Sequence, residues 1–120
     1  LSSPKEYICA FNLDGVGAKG QSTAYSFYEC PQNLMSCISG CAADLDGFEQ
    51  IEPWPQGDHT LFSFSGVPAV SVTSGNIFGL AERILHTEHD TPDLIDTNKL
   101  EALVNFLHTL LCSGSIEQIL

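Results

Sequence analysis

Four places in the sequence set chemistry-bearing side chains where they could act. Asp14 closes an apolar run and opens Asp14-Gly15-Val16-Gly17. A carboxylate at the carboxyl end of a strand in an open α/β sheet sits where ligands bind. The same Asp-Gly pair also serves as a plain turn. Gly57-Asp58-His59 is the second place. Asp58 is a good helix N-cap, which needs no site to explain it. His59, in the first helical turn, opposes the helix dipole if protonated, so it reads as a neutral hydrogen-bonding partner or a ligand. The third is His86-Thr87-Glu88-His89-Asp90-Thr91-Pro92-Asp93, with two imidazoles and three carboxylates in eight residues. Imidazole and carboxylate are usual zinc donors, and a ligating His is commonly oriented by a further carboxylate. The spacing is not HExxH, which excludes the helical zincin arrangement. A solvated acidic loop is the alternative reading. The fourth is His108, inside an apolar-periodic helix, where a packed or surface imidazole is expected rather than a ligand.

These groups need elements to position them. Residues 7–13 (YICAFNL) form a nearly continuous apolar run, as a strand buried on both faces would. A glycine-rich polar stretch to Glu29 reads as a loop or ragged hairpin. Pro31 suits a first helical residue. Leu34, Ile38, Cys41, Ala42 and Leu45 then make one stripe of an amphipathic helix. Residues 48–51 suggest a short strand, and Pro53-Trp54-Pro55 a stiff connector. Asp58 starts a short helix running to Phe64 and stopped by Gly66. Residues 67–73 (VPAVSVT) read as a second buried strand, central and adjacent or nearly adjacent to the first. A helical turn near residues 80–85 leads into a polar loop. Asp96 or Thr97 opens the clearest helix. Its expected buried face is Leu100, Leu103, Val104, Leu107, Leu110 and Leu111, and Gly114 ends it. Alternating strands and helices predict an α/β layer fold, a central mixed, largely parallel sheet flanked by helices.

Composition narrows the function classes. Hydrophobic residues are 43% and charged residues 16%, enough apolar material for a core and too little charge for a disordered chain. Four Lys+Arg against fifteen Asp+Glu give a net charge of −11, which repels phosphate backbones and argues against a nucleic-acid partner. No stretch approaches the ~20 apolar residues of a membrane span. No secretory leader is evident, and the chain opens Leu1-Ser2-Ser3-Pro4 without an initiator methionine, as a fragment or processed product would. Five cysteines, Cys9, Cys30, Cys37, Cys41 and Cys112, cannot all pair within the chain, and there is no CxxC pair. They read mostly as small buried hydrophobes, which leans toward a reducing, cytoplasmic compartment.

The order of the motifs says more than any one of them. Asn12-Leu13-Asp14-Gly15-Val16-Gly17, then Gly57-Asp58-His59-Thr60-Leu61-Phe62 running into Gly66-Val67-Pro68-Ala69-Val70, then His86-Thr87-Glu88-His89-Asp90-Thr91 with Ile95-Asp96 beyond, resembles one family. It is similar to the C-terminal half of the catalytic domain of zinc-dependent aminopeptidases of the co-catalytic, two-metal kind, relatives of the glutaminyl cyclases. Those enzymes have an NLD strand end, an SDH-xx-F segment before a G-[IV]-P strand, and an H-T-xx-D-T loop before the final helix.

The resemblance implies that Asp14 is a terminal ligand of one zinc and His86 a ligand of a second, in a zinc aminopeptidase-like fold of which residues 1–120 are part. It gives Asp90 a supporting or loop-fixing role and places Asp58 and His59 along the substrate pocket. Gly57 stands where the family has Ser, so that hydroxyl is missing. The family's first His ligand, its bridging Asp and two adjacent Glu residues, one of them the general base, all precede the NLD motif, and nothing before Asp14 supplies them. The implied activity is release of N-terminal residues from peptides by a complete protein that includes the N-terminal half, the 120-residue piece alone being inactive. Glutaminyl cyclase chemistry and a non-catalytic binding module on the same scaffold are the alternatives. Exposed apolar surface, or a homodimer contact covering it, is expected where that half would pack.

Overall fold

Along the strand Ala69–Ser74, the apolar Val70 and Val72 alternate with the hydroxyl-bearing Ser71 and Thr73. Successive side chains of a strand leave on opposite faces, so this one strand has an apolar side and a polar side. In the structure, a computed structural model that describes residues 7–112 and residue 116, it is the hub of the sheet. The strands are β1 (Ala10–Leu13), β2 (Thr23–Tyr28), β3 (Phe48–Gln50) and β4 (Ala69–Ser74). Their order is β1-β4-β2-β3. β1 runs parallel to β4, β2 is antiparallel to β4, and β3 is parallel to β2. The sheet is mixed and open.

Register extends the two faces of β4 across its neighbours. Val70 and Val72 pair with Phe11 and Leu13 on β1 and with Phe27 and Tyr25 on β2. This apolar side is covered by α1 (Gln32–Ala43) and α4 (Thr97–Cys112), whose Leu34, Ile38, Leu103, Phe106 and Leu110 complete the core. Full burial of one such aliphatic side chain contributes roughly 1.5–3 kcal/mol. Ser71 and Thr73 pair with Asn12 on β1 and with Ser26 and Ala24 on β2. Against this polar side lie α2 (His59–Ser63), α3 (Ile77–Arg83) and the connector carrying Trp54.

The fold differs from the sequence expectations at particular places. The expected second strand is present, buried and central beside the first one, but it runs Ala69–Ser74, with Val67 and Pro68 leading into it. The first strand, however, is shorter than residues 7–13 and forms the sheet edge among the described residues. Tyr7 and Ile8 are exposed, and no residue of β1 is fully buried. The polar stretch before Glu29 holds a strand, β2, because Tyr25 and Phe27 reach the core while Ser26 faces the polar side, where its Oγ donates to the Tyr28 hydroxyl at 3.0 Å. Pro31 is the residue before the first helical one. Asp58 makes no capping bond because its own backbone is already helical, at φ −66° and ψ −21°. The hydroxyl of Thr60 bonds the Gly57 carbonyl at 2.8 Å instead. On α4 the buried stripe is Leu103, Phe106 and Leu110, whereas Val104 and Leu111 face outward at 63% and 53% exposure. Phe106 packs on Phe48 with ring centroids 5.2 Å apart, which fixes the helix's rotation. The expected stop at Gly114 lies outside the described residues. Four cysteines are half-buried rather than buried, Cys112 is exposed, and all five are free thiols. No helix of the described residues is long and apolar enough to cross a membrane.

Candidate functional site at the carboxyl edge of the sheet

β1 and β4 are parallel, so their carboxyl ends share one edge. The chain leaves β1 at Asp14, whose N–H still bonds the Val72 carbonyl at 3.1 Å. The next residues are tied down from two sides. Ser74 Oγ donates to the Gly15 carbonyl at 2.6 Å and accepts from the Ala18 N–H at 3.3 Å. The Lys19 N–H bonds the Leu94 carbonyl at 2.9 Å, and the Asp96 N–H bonds the Gly17 carbonyl at 2.8 Å. The loop after Asp14 is therefore fastened both to β4 and to the segment that leads into α4.

His86 reaches the same edge by another route. After β4 and α3 the chain tightens, with the Ile84 and Leu85 N–H groups both bonded to the Leu80 carbonyl. His86 then adopts a left-handed backbone, φ 62°. This conformation is uncommon for any residue with a Cβ, although His tolerates it better than β-branched residues do. Thr87 organises the turn beyond it, its hydroxyl donating to the Ile84 carbonyl at 2.5 Å and accepting from the His89 N–H at 3.1 Å. Asp93, further along the loop, accepts a hydrogen bond from the Thr91 hydroxyl, which holds its carboxyl below the usual carboxylate range.

Asp14 and His86 stand 72 positions apart in sequence (86 − 14) and line the same two adjoining cavities. The first, of about 450 Å³, is walled mainly by apolar side chains, among them Val16, Leu80, Ile84 and Ile95, and Asp90 is also in its wall. The second, of about 260 Å³, extends over the polar side of the sheet and is lined by Asn12, Gln56, Ser71 and Thr73 together with Trp54 and Phe78. Among the described residues, neither the Asp14 carboxylate nor the His86 imidazole has a hydrogen-bond partner. Both side chains are exposed.

Asp58 and His59 lie elsewhere. Asp58 is exposed and lines neither cavity. His59 is 1% exposed and packed behind the second cavity, its ring 4.2 Å from that of Tyr28 and 5.6 Å from that of Trp54. Its Nε2–H donates to the Trp54 carbonyl at 3.2 Å, and its Nδ1 has no partner. From that motif, Gly57 is the residue that reaches the cavity wall. His108 is exposed on α4, away from both cavities.

Asn12, Ser71, Thr73 and Trp54 line the second cavity although nothing in the sequence singled them out as wall residues. A signal was present in the alternation of Ser71 and Thr73 with valines, a polar face inside a strand otherwise read as apolar throughout. Among the described residues, no group of three or more His, Cys, Asp or Glu side chains is placed to hold a metal ion. Compared with protein-family models, with curated proteins and with solved structures, the chain matches none.

Proposed function

We propose that this chain is the C-terminal part of the catalytic domain of a zinc-dependent, two-metal aminopeptidase, with Asp14 and His86 each a terminal ligand of one zinc. The observation that carries the reading is the shared cavity wall. A carboxylate at a strand's carboxyl end and an imidazole from a distant loop line one wall there, neither side chain having a hydrogen-bond partner among the described residues. That is the edge where ligands bind in open α/β sheets.

The donors present fit part of such a centre. One carboxylate and one imidazole are good zinc ligands, but two donors do not satisfy the four-coordinate habit of the ion. The remaining donors, and the Glu that would act as general base, must come from residues other than these 120. Zinc, when bound, supplies Lewis acidity and lowers the pKa of a bound water. The chain's own contribution is positional. The bonds through Ser74, Leu94 and Asp96 hold the Asp14 loop against β4 and the start of α4. The larger cavity sets apolar side chains, among them Val16, Leu80, Ile84 and Ile95, beside the two donors.

The test is an assay of the complete protein on aminoacyl-nitroanilides and short peptides. Expected are release of the N-terminal amino acid, loss of activity to a chelator and recovery on adding Zn²⁺, with the 120-residue chain alone inactive. Turnover insensitive to chelation would overturn the reading. Ammonia released from N-terminal glutamine, with no free amino acid formed, would assign cyclase chemistry instead.

A further inference from the structure

We infer that the smaller cavity is a recognition pocket for a short, uncharged side chain that both donates and accepts hydrogen bonds, a hydroxyl or a carboxamide, read by Ser71 and Thr73. The inference rests on the Asp14–His86 edge being a substrate site and adds what that substrate carries.

Two hydroxyls in this wall stand apart from the others. Two other hydroxyls of the sheet are satisfied, Ser26 Oγ by the Tyr28 hydroxyl and Ser74 Oγ by the Gly15 carbonyl. Ser71 Oγ and Thr73 Oγ1 are each on a residue only 1% exposed and have no partner among the described residues. An unpaired buried hydroxyl costs on the order of 1–3 kcal/mol. These two are on adjacent same-face positions of β4, and both residues line the same cavity. Asn12, beside Ser71 in register, adds an amide that is also unpartnered among the described residues. Gln56 adds a second amide to the wall.

Charge decides the ligand class. No Lys or Arg lines this cavity, so away from Asp14 and His86 no fixed cation is available to pair with an anionic side chain. Apart from Asp14 and His86, the polar side chains of the wall are the Ser71 and Thr73 hydroxyls, the Asn12 and Gln56 amides and the Trp54 indole, which match a neutral partner able to donate and accept. Asp14 and His86 line the same cavity, so on the peptidase reading such a side chain would sit beside the bond to be broken.

The test uses the 120-residue chain without zinc, so that it stands whether or not the peptidase assay succeeds. Amide NMR signals of Gly57, Ser71 and Thr73 are followed while L-asparaginamide or L-leucinamide is added. Saturable shifts with asparaginamide, at least tenfold tighter than with leucinamide, are expected. Ser71→Ala and Thr73→Val should each weaken asparaginamide by roughly tenfold without lowering the melting temperature, and Thr73→Ser should retain its affinity. Equal binding of the two probes, or binding of neither, would overturn the inference. So would loss of stability in both hydroxyl-free variants with unchanged affinity, since the hydroxyls would then serve the fold alone.

Discussion

The ring of His59 occupies the space that a β-carbon on Gly57 would need: such an atom would lie 2.8 Å from both Nδ1 and Cε1. The ring has little room to yield, because Tyr28 and Trp54 pack against it and Nε2 is bonded to the Trp54 carbonyl. Gly57 also has φ +132°, a backbone that side chains rarely adopt. The absence of the Ser expected from the family resemblance is thus linked to the packing of His59.

Gly57→Ser should therefore destabilise the fold by about 2–4 kcal/mol, combining backbone strain with overpacking. Urea unfolding should show a lower midpoint, and Asp58→Ala, which removes an exposed side chain with no capping bond, should change it by under about 0.5 kcal/mol. A Gly57→Ser variant as stable as the parent would mean that the ring moves freely.

Asp14→Ala and His86→Ala in the complete protein should each lower peptidase kcat/KM by several orders of magnitude, as loss of a ligand to a water-activating metal requires. Folding should survive, because both side chains are exposed. His86→Gly should fold at least as well, since glycine accepts the φ of 62°, while His86→Val should cost roughly 1–2 kcal/mol. His108→Ala should leave turnover unchanged. Equal losses at His86 and His108 would contradict the assignment.

Cys9 gives a pH dependence with a defined sign. Burial, assisted by nearby Cys30, raises its thiol from 9.0 to about 11. The fold favours the protonated thiol, so the contribution is fully present below about pH 9 and is lost as pH rises toward 11. Under reducing conditions the unfolding midpoint should fall across that window, and Cys9→Ala should flatten the fall. Iodoacetamide at pH 8 should modify exposed Cys112 before Cys9, as peptide mass mapping would show.

The rotation of α4 can be checked by truncation. Leu110→Ala empties a fully buried position and should cost about 2–5 kcal/mol. Val104→Ala, at 63% exposure, should stay within about 0.5 kcal/mol. Comparable losses at the two would restore the face expected from leucine periodicity alone.

That helix shows where sequence information ends. Its start is readable, because Asp96 followed by a 3.6-residue apolar period is local, and the Asp96 side chain does accept the Asn98 N–H at 3.0 Å. Six of its apolar residues could share one side. Of those six only Leu103 and Leu110 are buried, and Phe106 joins them because it meets Phe48 from a strand 58 positions earlier (106 − 48). The strand near 69–74 was legible for the same local reason, while β2 was read only as loop or ragged hairpin, because its strand-favouring Thr, Tyr and Phe follow a glycine-rich polar stretch and its pairing with β4 is not local. The site divides in the same way. Residue type and motif order singled out Asp14 and His86, because chemistry is written in side chains. Parallel pairing of β1 with β4 and the turn after α3 brought them to one wall, and the unpaired hydroxyls of Ser71 and Thr73 exist only because the fold buries that face. Burial and pairing depend on partners distant in the chain, so no local pattern encodes them.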